Sequence, residues 1–201
     1  MDFFEKNIEK GLKIHFKFDI IILMLIERLF PMLDYLSPDF YFKKFNDITP
    51  KFLLENNIHA LLIDVDNTLA PYELEEPNGE ILAWLNSLKS NNIGFAFISN
   101  NSSDKRINIF NKNIGAPAYA KSGKPFAKKT ISKALMCLNT QKENAAFLGD
   151  QIFTDVCAGK FYGIKTILVP PIKDKNTLFF RFKRTLERPV INNYLKKHKN
   201  K

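Results

Sequence analysis

The stretch Ala60-Leu61-Leu62-Ile63-Asp64-Val65-Asp66-Asn67-Thr68-Leu69 decides the fold. Ala60 to Ile63 is a short apolar run with the length of a buried strand. Two carboxylates follow it at i and i+2. On extended backbone that spacing places both on one side, about 6–7 Å apart along the chain. Their repulsion shifts at least one pKa unless a cation intervenes. A hard divalent cation such as Mg²⁺ is the natural partner of such oxygen ligands. The alternative is a turn carrying two solvated aspartates, and this stretch alone does not choose between them.

Outward from this strand the pattern repeats. Thr49-Pro50 opens a short helix, with Thr49 as N-cap and Pro50 in the first turn. Helices are predicted over 78–90, 103–113, 126–138 and 154–161. Further strands are predicted at Ile93–Ile98, Pro117–Ala120, Ala145–Leu148 and Thr166–Val169. Strands alternating with helices give a parallel sheet covered on both faces, a three-layer α/β/α architecture. Ligands of such sheets bind at the carboxyl ends of the strands.

Three more polar groups fall at those ends. Ser99-Asn100-Asn101 follows the second strand, and a hydroxyl there can donate to a phosphoryl oxygen. Lys124-Pro125 precedes a helix, where an ammonium can neutralise a transferring phosphoryl group or simply face solvent. Gly149-Asp150-Gln151-Ile152-Phe153-Thr154-Asp155 follows a later strand; Asp155 has an alternative structural role as a helix N-terminal charge.

Bulk properties narrow the field. The 201 residues suffice for one sizeable core, and 45% hydrophobic with 25% charged residues describes a globular chain. The net charge of +9 is localised: residues 171–201 hold 10 Lys+Arg against 2 Asp+Glu. Such a segment points to an anionic surface or to a solvated tail. Two cysteines, Cys137 and Cys157, form no disulfide framework and fit a reducing cytoplasm. The longest apolar run, Ile20 to Ile26, is far short of the about 20 residues a spanning helix needs. Its flanks predict an amphipathic helix over about 18–30, ended near Pro31, that packs on protein or lies at a bilayer interface.

The ordered set of acid pair, hydroxyl, lysine and acid pair resembles the haloacid dehalogenase (HAD) superfamily over residues 60 to 170. Ser99 follows Asp64 by 35 residues and Lys124 follows Ser99 by 25, so neither gap holds a large cap domain. A capless, open site that accepts large substrates is the expectation. Finer features resemble the bacterial YqeG-type phosphatases and the mitochondrial phosphatidylglycerophosphate phosphatases, a HAD IIIA subfamily. These are Asp64 to Leu69, Ser99-Asn100-Asn101, Gly149-Asp150-Gln151 with Thr154-Asp155, Ile167-Leu168-Val169-Pro170, and Arg184…Glu187-Arg188. Two positions depart from the pattern. The lysine stretch reads Ala120-Lys121-Ser122-Gly123-Lys124-Pro125, longer than expected, so Lys121 competes with Lys124. Lys160 follows Gly159 where asparagine is common.

The resemblance implies a division into a helical extension (1–37), a HAD-like phosphatase domain (38–175) and a basic C-terminal helix (176–201). It implies Asp64 as nucleophile, Asp66 as acid/base and Lys124 as a catalytic cation. Mg²⁺ would be held by Asp64, by the Asp66 main-chain carbonyl and by Asp150. Ser99, Asn100 and Thr68 would meet the substrate, Thr68 also fixing Asp66, and Asp155 would orient Lys124 or a metal-bound water. The implied reaction is dephosphorylation of phosphatidylglycerophosphate. A soluble sugar-phosphate or nucleotide phosphatase is one alternative. A non-enzymatic module using the basic tail for RNA or protein is another, disfavoured by the four aspartates. In the tail, Leu178, Phe182 and Leu186 form an apolar stripe beside Arg181, Arg184 and Arg188, suited to an anionic lipid surface.

Overall fold

The computed structural model describes residues 34–173 and 177–198. The helix expected over 18–30 lies outside the described residues. Residues 36–201 form a unit of their own, which carries the architecture described below.

Six strands form one parallel sheet: β1 (Phe40–Tyr41), β2 (Ala60–Ile63), β3 (Gly94–Ile98), β4 (Ala118–Tyr119), β5 (Ala145–Gly149) and β6 (Lys165–Leu168), in the order β1-β6-β5-β2-β3-β4. The helices between them are α1 (Pro50–Glu55), α2 (Gly79–Ser90), α3 (Asp104–Asn111), α4 (Lys128–Cys137) and α5 (Cys157–Tyr162). A long α6 (Leu178–His198) follows the sheet. Local chemistry sets the helix starts. Thr49 accepts from the Phe52 N–H at 3.1 Å, Asn78 from Ile81 at 3.0 Å and Ser103 from Lys105 at 3.2 Å. Such N-caps contribute about 1 kcal/mol each.

Side-chain alternation divides the core into two layers. Leu61, Ile63, Phe95, Phe97 and Leu148 face α1, α2 and α3 through Leu53, Trp84, Leu88, Ile107 and Phe110. Ala60, Leu62, Ala96, Ile98 and Phe147 face α4 and α5 through Ile131, Ala134 and Ala158. All four β2 residues are fully buried. The sheet is therefore covered on both faces, and the three-layer α/β/α expectation holds. β2 is central, so its carboxyl end is flanked by β3 and β5.

Two features go beyond the sequence reading. β1 is only two residues long and is tied to the sheet by a side chain: Asp39 Oδ2 accepts from the Thr166 N–H and hydroxyl, each at 2.8 Å, and Asp39 Oδ1 pairs with Lys160 at 2.7 Å. Lys160, the departure from the family pattern, thus links α5 to the sheet edge. The helix expected over 154–161 begins instead as a wide π turn, Ile152–Val156, before α5. Among the described residues no helix is long and apolar enough to cross a membrane.

Candidate active site

The carboxyl end of β2 continues the ladder by one bond, with the Asp64 N–H donating to the Leu148 carbonyl at 2.9 Å. Asp64 is thereby fixed beside the end of β5, from which Asp150 emerges. At Asn67 the chain turns through a left-handed conformation (φ 66°), and the Asn67 N–H closes onto the Ala70 carbonyl at 2.7 Å. The loop folds back at once, leaving Asp64, Asp66, Asn67 and Thr68 all buried.

Lys124 meets this end of the sheet from the β4–α4 connection. Its Nζ lies 2.5 Å from Asp64 Oδ1 and 2.7 Å from Asp155 Oδ1, with its side chain only 2% exposed. Lys121 is 62% exposed and pairs with Asp104 at 3.7 Å. Of the two lysines, the structure brings Lys124 to the acids. The longer spacing is accommodated by a turn with Lys121 and Gly123 at φ 48° and 78°. Asn100 grips that turn: its Oδ1 accepts from the Lys124 N–H and the Ser122 hydroxyl, each at 2.8 Å, and its Nδ2 donates to the Lys124 carbonyl at 2.9 Å. The Asn100 side chain, expected on the substrate, holds the Lys124 turn and also lines the cavity beside Asp64.

The π turn delivers Asp155. Its Oδ2 accepts from the Gln151 N–H at 3.1 Å while its Oδ1 holds Lys124. The approach is so close that a Cβ on Gly149 would sit 2.3 Å from the Asp155 Cβ, so this position requires glycine.

Two further expectations change. Thr68 donates to Asp64 Oδ2 at 3.4 Å and lies buried, so the carboxylate it supports is Asp64 and not Asp66. Asp66 is held by Arg106 of α3, whose Nε donates to Asp66 Oδ1 at 3.1 Å. The same guanidinium donates to the Pro71 carbonyl at 3.2 Å and to the Leu74 carbonyl. Sequence reasoning missed Arg106; its only signal is a cation placed beside Ile107, in a helix that follows the Ser99 strand end. Arg184, expected on a lipid-facing stripe, is turned inward: it pairs with Asp150 and with the buried Glu187.

The electrostatics follow from burial. Desolvation pushes the Asp64 carboxyl well above the usual range; the Lys124 ammonium opposes this, and Asp155 and Asp150 add to it. Desolvation and Asp155 push Asp150 up to about 6, with Arg184 opposing. Burial disfavours the Lys124 cation, but the carboxylates of Asp155 and Asp64 outweigh it and raise its pKa. Among the directly paired groups, Asp64, Asp66, Asp150, Asp155 and Glu187 face Lys124, Arg106 and Arg184. Five carboxylates against three cations leave two negative charges over. Carboxylate oxygens of Asp64, Asp150 and Asp155 lie within 4.8 Å of one another. Hard oxygen donors with that imbalance fit one divalent cation. The side chain of Asp66 is outside this cluster. Above it opens a cavity of about 330 Å³ lined by Asp64, Asp66, Tyr72, Ser99, Lys124 and Phe180, among others.

The profile of the family described as mitochondrial PGP phosphatase matches residues 23–173. The probable phosphatase YqeG of Bacillus subtilis (strain 168) is 32% identical over 154 residues, covering 77% of this chain and 88% of that protein. Among solved structures, the cobalt-bound deoxy-D-mannose-octulosonate 8-phosphate phosphatase of Haemophilus influenzae has a TM-score of 0.46 at 16% identity, covering 58% of this chain and 70% of that one. An uncharacterized protein from Listeria monocytogenes serotype 4b has the same TM-score and identity, over 60% and 85%. The chain is a phosphatase of the HAD type, a phosphoric monoester hydrolase. Within that class it belongs to the mitochondrial PGP phosphatase family, and so to the YqeG-type phosphatases.

Proposed function

We propose that this phosphatase acts through an aspartyl-phosphate on Asp64 and that its substrate is phosphatidylglycerophosphate. The observation that carries the chemistry is Lys124 Nζ at 2.5 Å from Asp64 Oδ1 at the base of the cavity. A buried carboxylate beside a fixed ammonium is a nucleophile with a counter-charge in place for the incoming phosphoryl oxygens. Asp64 attacks phosphorus, and the bond to the leaving alkoxide breaks. Asp66, aimed by Arg106, gives that oxygen a proton and then removes one from water for the second displacement. The Ser99 hydroxyl and Lys124 hold phosphoryl oxygens, while Asp155 keeps Lys124 in place. Asp64 and Asp150 would hold Mg²⁺, with the Asp66 carbonyl as the family resemblance implies. Bound there, Mg²⁺ neutralises carboxylate–phosphate repulsion and polarises phosphoryl oxygens.

The substrate reading rests on the family and on α6. Leu178, Phe182 and Leu186 are 84%, 63% and 47% exposed, one stripe at i+4 spacing. Phe180 of the same helix lines the cavity, and Arg181 and Arg188 are exposed. Apolar anchors with basic neighbours suit an anionic bilayer, each basic residue adding about 1 kcal/mol. The deciding experiment compares phosphate release from phosphatidylglycerophosphate in mixed micelles with release from sugar phosphates and nucleotides, with Mg²⁺ and with chelator. Preference for the lipid that requires Mg²⁺ is the expected result. Faster turnover of a soluble monoester overturns the substrate, and full activity in chelator overturns the metal.

A further inference from the structure

α6 does more than carry an exposed stripe. Arg184 Nη1 donates to the Asp150 main-chain carbonyl at 2.7 Å and to Glu187 Oε2 at 2.8 Å, while Nη2 pairs with Asp150 Oδ2. One planar guanidinium therefore holds both the backbone and the carboxylate of Asp150. Oδ1 of Asp150 is left to a 3.5 Å contact from Gln151. Glu187 is 1% exposed, and its Oε1 accepts from the N–H groups of Ile152 and Phe153 at 3.0 and 3.4 Å. These amides open the π turn that carries Asp155, and a helical first turn otherwise leaves such donors unsatisfied. A buried carboxylate is costly unless it is paired and hydrogen-bonded, and here each oxygen has a partner on or beside the same loop. Val190, one turn beyond and fully buried, anchors the helix.

We propose that Arg184 and Glu187 are positioning residues for the 150–155 loop, so that the metal centre is complete only with α6 docked. The inference rests on the reading of Asp64 and Asp150 as cation ligands. The guanidinium fixes one carboxylate oxygen and the carbonyl of Asp150, leaving the other oxygen presented at a set angle. Partners of metal ligands commonly change metal affinity by roughly 10–100-fold when removed.

The test is binding of Mn²⁺ to substrate-free protein, read by electron paramagnetic resonance, with melting temperature recorded alongside. Arg184→Ala is expected to weaken Mn²⁺ binding at least about tenfold, and added guanidinium ion to restore part of the loss. Arg184→Lys, which keeps the charge but not the fork, is expected to remain impaired. Glu187→Gln keeps an acceptor for Ile152 while losing the Arg184 ion pair, and is expected to show a smaller loss. Asn192→Ala, exposed on the same helix, is expected to bind as wild type. Lower melting temperature with unchanged Mn²⁺ affinity makes α6 merely structural and overturns the proposal, as does tighter binding, which makes Arg184 a competitor for Asp150. If Arg184→Ala does not fold, Arg184→Lys and Glu187→Gln decide on the same criteria. No Mn²⁺ binding by the wild-type protein would instead defeat the metal reading itself.

Discussion

The strand ends and α6 invert the usual rule of burial in opposite directions. At the ends of β2 and β5, Asp64, Asp66, Asp150 and Asp155 are all under about a tenth exposed, as is Lys124. On α6, Leu178, Phe182 and Leu186 stand in solvent while Glu187 is sealed inside. Charged residues are ordinarily outside and large apolar ones inside. In the first region each charge is answered by another within hydrogen-bond distance, and the excess of carboxylate calls for a cation. In the second, the buried polar face answers the first region, and the apolar face is exposed among the described residues. One inversion is explained within the domain; the other points outward. Buried charge here marks chemistry, and the exposed hydrocarbon is the feature on which the proposed lipid substrate rests.

Three perturbations would break or sharpen that contrast. The largest effect is expected from Asp64→Asn. Turnover should fall by at least about 10³-fold. Removing one of three clustered carboxylates should leave the metal-free melting temperature unchanged or higher. Near-normal phosphate release would remove Asp64 from its role. Next is Arg106→Ala, which frees Asp66 and the Pro71 and Leu74 carbonyls. Turnover should drop roughly 10–100-fold, and more steeply for poor leaving groups. A uniform loss across a leaving-group series would show that Arg106 supports the loop alone.

The smallest effect concerns pH. Asp150 is raised to about 6, and burial raises Asp64 above the ordinary carboxylate range as well. For groups raised in the folded state, the contribution to stability is full below their unfolded pKa of about 4 and is lost as pH rises through about 6. A bound cation needs both ionised. The gain in melting temperature on adding Mg²⁺ should therefore be slight near pH 5 and grow through about pH 6. A gain that stays flat over that window would separate the cation from these two carboxylates.

The alternation of β2 to β6 with helices and the acid set are legible in the chain because each depends on local pattern: an apolar run of strand length, then a polar residue type the reaction requires. The order of the strands and the two-residue β1 rest on contacts distant in sequence. Lys124 is legible by chemistry, though only the turn held by Asn100 separates it from Lys121. The partners of Thr68 and Asn100 are not legible, since a short polar side chain after a strand bonds to whichever group the turn presents. Arg106 and Arg184 are harder still. Each meets its carboxylate across 40 and 34 residues of sequence, and an arginine on an amphipathic helix reads the same whether it faces water or an acid. Helix α6 also runs through Pro189, where local rules favour a break, and Val190 beyond it is what seats the helix.

Arg106 has one more consequence. By tying the Pro71 and Leu74 carbonyls to α3, it braces the segment that brings Tyr72 to the cavity. On the proposed reading of a carboxyl phosphate at Asp64, the cavity beside it would give water a path to that intermediate once the alcohol departs. A second alcohol would then compete with water at its full concentration, so the proposed reading favours hydrolysis over transfer.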